Sequence, residues 1–116
     1  MTDSFLENWQ VQIKKGYIEF CILQLLHPKE KLYGLQLIKL LEQAGISVKE
    51  GTLYPLLSKL NNSGIVKAFW DLKNIKGHPR KFYKLTTIGE NLRKEMEKSF
   101  SSMFGLSTKL KGKNYE

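Results

Sequence analysis

A chain of 116 residues can bury one modest core and is too short for two independent ones. With 41% of residues apolar and 26% charged, it has the composition of a folded globular domain and not of a disordered tail. The net charge of +8 is unevenly spread: residues 1–50 hold six Lys against six acids, residues 51–86 seven Lys or Arg against one acid, and residues 87–116 six against four.

From Phe5 to Leu26 the apolar residues Phe5, Leu6, Trp9, Ile13, Tyr17, Phe20, Cys21 and Leu25 recur at spacings of three and four, which predicts a first helix with a candidate break at Gly16. Pro28 disfavours helix at the residue before it, so His27–Lys31 is expected to be a loop. Tyr33-Gly34-Leu35 opens a second stripe with Leu37, Ile38 and Leu41, and Ala44-Gly45 supplies its stop. A third helix is expected from about Glu50 to Ser63, with Leu53, Leu56, Leu57 and Leu60 buried, Gly64 as its end signal and Pro55 near its first turn.

Beyond Gly64 the pattern changes. Ile65–Trp70 and Arg80–Leu85 are short and aromatic-rich, with Asn74, Gly77 and Pro79 between them, and read as two strands of a hairpin joined by a basic loop. Thr86-Thr87 offers a cap for a long final helix carrying Ile88, Leu92, Met96, Phe100, Met103 and Phe104 at helical spacing. The run Lys109–Asn114 is expected to fray.

The fold class is therefore mainly α with a small β-hairpin. Three helices followed by a hairpin is the order of a winged helix-turn-helix, in which the third helix enters the major groove. The +6 segment contains most of that helix and all of the wing. A localised basic patch suits a polyanion, because Lys and Arg release counterions when they neutralise phosphates, although a solvated basic face has the same composition.

Other chemistries find little support. Cys21 lies in an apolar run, where a thiol behaves as a small buried hydrophobe, and with His27 and His78 far apart no spacing supplies zinc ligands. No cofactor and no metal site is implied. There is no Ser, His and acid grouping and no phosphate-cradling glycine loop, so an enzyme is not expected. No apolar stretch approaches the roughly 20 residues that cross a bilayer. The start MTDSFLENWQ lacks the basic and apolar regions of a signal peptide, so a cytoplasmic location without membrane partners is the expectation.

Specific residues sharpen this reading. Glu50-Gly51-Thr52-Leu53-Tyr54-Pro55-Leu56-Leu57 with Leu60, then Gly64-Ile65, then Arg80-Lys81-Phe82-Tyr83-Lys84-Leu85-Thr86 with Gly89, resembles the PadR family of bacterial repressors, and Tyr33-Gly34 fits the same pattern. The resemblance covers about residues 14–100. It implies a homodimeric winged-helix repressor whose long C-terminal helix builds the dimer interface, as in the small members of the family. It also implies control of detoxification, efflux or stress genes, released by a small aromatic effector. On this reading residues 1–86 form the DNA-binding domain, with the N-terminal helix also contributing to the dimer, and residues 87–116 form the dimerisation helix and a basic tail. Gly77-His78-Pro79-Arg80-Lys81 departs from the Gly-Gly-Arg form usual in the family. Nothing in the residues themselves separates a repressor from an activator.

The candidate contacts to double-stranded DNA are Thr52, Tyr54, Ser58 and Lys59, which lie off the leucine face of the third helix, and Lys73, Lys76, His78, Arg80 and Lys81 in the wing. Lys14 and Lys15 are candidates for flanking phosphates. The Tyr54 ring has an alternative role in packing against the second helix. Phe5, Trp9, Met96, Phe100, Met103 and Phe104 display more apolar surface than one small core can cover, which argues for a dimer seam. The sharper expectation is that Trp9 and Phe100 line a pore that stacks a flat aromatic effector. Trp70 is expected to pack. The alternative to a regulator is a winged-helix module for protein or RNA contact, without a specific operator.

Overall fold

A computed structural model of the chain describes residues 2–73 and 79–113. The elements run α1 (Thr2–Leu26), β1 (Leu32–Tyr33), α2 (Gly34–Gln43), α3 (Glu50–Asn62), β2 (Val66–Asp71), β3 (Arg80–Leu85) and α4 (Thr87–Lys111). The expected order of helices and hairpin is present, with one addition. β1 pairs antiparallel with β3, Leu32 opposite Tyr83 and Tyr33 opposite Phe82, so the hairpin becomes a three-stranded sheet in the order β1-β3-β2. Two residues carry no readable alternation, and Tyr33 belongs to this strand, not to the second helix.

The core is built from one face of each helix and one face of the sheet. Ile22, Leu23 and Leu26 of α1, Leu37 and Leu41 of α2, and Leu53, Leu57 and Leu60 of α3 are buried with Val66 and Tyr83 of the sheet. Leu56 is only half-buried at the edge of this cluster. The α1 face that enters the core differs from the expected stripe: Ile18, Ile22, Leu23 and Leu26 are buried, Cys21 is half-buried, and Phe5, Leu6, Trp9, Ile13 and Tyr17 are exposed. Only the C-terminal third of α1 touches the core, so the earlier apolar positions report a different surface.

Local chemistry sets the helix ends. The Gln36 side chain accepts from the Tyr33 N–H at 3.1 Å at the start of α2. Gly45 and Gly64 adopt φ of 94° and 74°, the left-handed conformation that stops α2 and α3 as expected. Gly16 makes no break, and α1 is continuous through it. Pro55 is the sixth residue of α3, in its second turn and not its first, so the helix forgoes the bond this residue would donate to Gly51. α4 stays helical to Lys111, which corrects the expected fraying of Lys109–Lys111; Asn114 lies outside the described residues.

α1 and α4 run antiparallel. Tyr17 and Phe20 meet Phe100 with ring centroids 5.7 and 5.0 Å apart, Arg93 Nη1 donates to Gln24 Oε1 at 2.7 Å, and His27 Nδ1 lies 2.6 Å from Glu90 Oε1. Beyond this zipper, residues 2–16 of α1 and 101–111 of α4 are exposed, and the molecule measures 68 × 36 × 24 Å.

Candidate nucleic-acid interface

With Leu53, Leu57 and Leu60 turned inward, a step of ~100° per residue places Gly51, Pro55, Ser58 and Asn62 along the opposite, solvent-facing line of α3. Thr52 and Lys59 fall on one flank, and Tyr54 and Asn61 on the other. Each flank borders a groove, so the α3 candidates do not form one cluster.

The first groove, about 600 Å³, lies between α1 and α3 and brings Lys14, Lys15, Thr52 and Lys59 together over Val11, Ile18 and Leu56. Lys59 Nζ stands 3.5 Å from Glu19 Oε2. That exposed pair is too weak to hold the lysine away from a phosphate.

The second cleft, about 450 Å³, is bounded by α3, the start of α2 and the wing, and gathers Tyr54, Ser58, Trp70, Arg80 and Lys81. The Tyr54 ring packs against Gly34, as the alternative reading of this residue proposed. The wing is held to α3 by Asn61, whose Oδ1 accepts from the Ala68 N–H at 3.1 Å. Cross-strand pairing sets Trp70 opposite Lys81 and Phe69 opposite Phe82.

Cations of the sheet lie over aromatic rings: Arg80 over Tyr33 at 4.5 Å, Lys81 over Trp70 at 6.0 Å, Lys84 over Phe69 at 5.5 Å and Lys31 over Phe82 at 5.1 Å. Such contacts orient the long side chains without consuming their charge. Trp70 is 60% exposed, so the expectation that it packs is corrected: near the end of the hairpin where β2 and β3 connect, its only ring-face neighbour of this kind among the described residues is Lys81.

Lys73 is exposed, and its backbone N–H donates to Asp71 Oδ1 at 2.9 Å. That bond, more than the nearby Lys31 charge, holds the Asp71 carboxyl below the usual carboxylate range. Lys76 and His78 lie outside the described residues. Lys31 and Lys84 were not among the candidates; for Lys84 the alternation of charge and aromatic residues along β3 is the signal that could have found it.

Of the six residues assigned to a dimer seam or pore, Phe5, Trp9, Met103 and Phe104 are exposed, whereas Met96 packs against the core and Phe100 against Tyr17 and Phe20. Met96 and Phe100 thus serve the α1–α4 zipper within one chain.

Sequence reasoning also missed Arg93, only 7% exposed, which bonds Gln24, Glu90 and Glu97 at 2.7–3.0 Å. The His27 hydrogen bond, ahead of the Arg93 contact, holds the Glu90 carboxyl below its ordinary range. Burial pushes the Cys21 thiol up, which disfavours the reactive thiolate. No helix among the described residues is long and apolar enough to cross a membrane, and no cluster of three or more His, Cys, Asp or Glu that could hold a metal lies among them.

The model of the transcriptional regulator PadR-like family matches residues 22–98. A PadR-like transcription factor from Bacteroides fragilis is 40% identical, with a TM-score of 0.76 over 89% of this chain and 98% of that one. A PadR family transcriptional regulator from Eggerthella lenta is 29% identical, with a TM-score of 0.85 over 97% of both chains. A Streptococcus transcriptional regulator is 30% identical, with a TM-score of 0.72 over 87% of this chain and 95% of that one. Together with the winged architecture and the basic clefts beside α3, these matches establish that the chain belongs to the PadR-like family, whose members are transcriptional regulators and not enzymes.

Proposed function

We propose that this chain is a repressor that binds an inverted-repeat operator as a homodimer and is released by a small aromatic effector. The observation that carries the DNA-binding reading is the α3 surface. Its outward line bears only Gly51, Pro55, Ser58 and Asn62, and cations flank it on both sides, Lys14, Lys15 and Lys59 in one groove and Arg80 and Lys81 in the other. A slim ridge between basic walls suits a major groove, with Thr52, Tyr54 and Ser58 reaching phosphates or base edges and the wing, Lys73 included, following the backbone.

Homodimerisation is supported by the exposed apolar residues of the two helical arms. Phe104 is 76% exposed, and Phe5, Trp9 and Met103 are exposed with it; a second copy would cover them. On this reading residues 1–86 read DNA, and residues 87–116 assemble the dimer with help from α1. The effector would stack between aromatic rings of the paired arms, with Trp9 as the available ring and Phe100 behind it.

The experiment is a gel-shift titration against DNA from the gene's own upstream region, at two salt concentrations and beside a scrambled competitor. A discrete, salt-sensitive complex that outcompetes the scrambled DNA supports the regulator. Diffuse binding or none moves the assignment to a module for protein or RNA contact.

A further inference from the structure

Gly34 opens α2 at the foot of the cleft between α3 and the wing. Its backbone is in ordinary helical conformation, since the positive-φ glycines are Gly45 and Gly64. Conformational freedom therefore does not explain a glycine here; space does. A Cβ built on Gly34 would stand 2.6 Å from both Cε1 and Cζ of Tyr54 and closer still to the hydroxyl oxygen, so the phenol ring lies directly on the Gly34 backbone.

The Tyr54 hydroxyl has no hydrogen-bond partner among the described residues, and the residue is 38% exposed. A tyrosine needed only for packing could be phenylalanine at this position. The cleft that Tyr54 lines, with Tyr33, Trp70 and Tyr83, also holds Ser58, Arg80 and Lys81, groups that suit a phosphate.

We infer that Gly34 is a positioning residue for DNA binding: by lacking a side chain it seats the Tyr54 ring against α2 and so aims the Tyr54 hydroxyl, as a fixed donor, at a phosphate of the operator. The inference rests on the DNA-binding reading and adds to it a residue that makes no contact with DNA itself. The three atoms nearest to a methyl group at position 34 all belong to the far end of the Tyr54 side chain, so the ring swings outward and the fold is spared. The donor is then misplaced at little cost in stability.

The test compares Gly34→Ala, Tyr54→Phe and the double variant. Each is expected to unfold within a few degrees of the parent, and each single variant to bind operator DNA about tenfold more weakly, the worth of a hydrogen bond to a charged acceptor. Because both changes remove the same bond, the double variant should lose no more than either single one. Losses that multiply, or unchanged binding by Gly34→Ala, would overturn the inference. Ring seating has its own readout without DNA: Tyr54→Ala should remove an upfield ring-current shift of the Gly34 α-protons in NMR spectra. Absence of that shift sinks the inference even if DNA binds. A shift present without any specific DNA complex overturns the DNA-binding reading and, with it, the role of Gly34.

Discussion

Gly89 in the first turn of α4 lies against the carbonyl of Ile65, so close that a Cβ at position 89 would overlap that oxygen and stand 3.0 Å from Leu85 Cδ2. Thr86 locks the same junction: its hydroxyl donates to the Gly64 carbonyl at 2.6 Å and accepts from the Gly89 N–H at 3.0 Å, while its own N–H donates to the Ile65 carbonyl at 3.1 Å. The end of α3, the first wing strand and the start of α4 are thus joined at one point. Gly89→Ala should destabilise the protein by about 2 kcal/mol despite the better helix propensity of alanine, because backbone must move. The denaturation midpoint in urea checks this against Gly51→Ala, whose methyl meets nothing within 4 Å and should leave the midpoint unchanged or slightly raised.

Arg93 holds the α1–α4 zipper through three partners on two helices. Arg93→Leu leaves Gln24 without this donor and Glu90 with His27 alone, and should cost about 1–2 kcal/mol, since its partners are at least partly exposed and their share is screened. Arg93→Lys should recover only part of this, because one ammonium cannot reproduce a planar fork that reaches both helices. Equal stability of the lysine variant and the parent would reduce Arg93 to a simple positive charge.

Glu90 gives the fold an acid-sensitive contact. Its carboxyl is held below the ordinary range by the His27 hydrogen bond first and by Arg93 next. A carboxyl depressed in the folded state contributes stability that is complete above its unfolded value, about pH 4.3, and is lost as pH falls through the lower folded value. The stability difference between the parent and Glu90→Gln should therefore shrink progressively below about pH 4. A difference that stays flat into acid would mean that Glu90 is not held in this way.

The order of helices and wing strands was legible because each carries its own period and its own punctuation: Gly45, Gly64 and Thr86 all stand where the elements end. β1 was not, since two residues show no period and their pairing with Tyr83 and Phe82 is set by tertiary packing. The residues proposed to face DNA were chosen from the leucine face of α3, yet their division between two grooves depends on where α1 and the wing sit. Arg93 resembles any lysine or arginine of an exposed helix face in sequence; only the antiparallel approach of α1 brings Gln24 beside it. Trp70 misled for a related reason, because an aromatic residue in a strand reads as core even where the strand runs past the end of the core.

Lys59 separates charge from scaffold on α3. Its pair with Glu19 is long and exposed, so Lys59→Ala should change stability by no more than about 0.5 kcal/mol. If the lysine meets a phosphate, the same change should lower the slope of log affinity against log salt by about one unit. An unchanged slope removes Lys59 from the contact list and leaves Lys14 and Lys15 to carry that groove. The proposed two-fold dimer would add a check on an operator, whose half-sites should then lie one helical turn, about 34 Å, apart.

The two tryptophans stand on the two surfaces that the proposal keeps apart, Trp9 on the exposed arm of α1 and Trp70 on the wing, and both are solvent-exposed in one chain. Their fluorescence can therefore report assembly and DNA binding separately. In a Trp70→Phe variant the remaining Trp9 should emit further to the blue in concentrated protein than after dilution, as a partner covers the ring, and an aromatic effector should quench it. In a Trp9→Phe variant Trp70 should be insensitive to dilution and respond when operator DNA is added, because the proposed contact of wing and DNA is at the cleft it lines. If Trp9 keeps a solvent-exposed emission at every concentration, α1 is not part of the dimer seam. If Trp70 responds to dilution and not to DNA, the wing face joins subunits, and the assignment of the cleft between α3 and the wing to DNA is wrong.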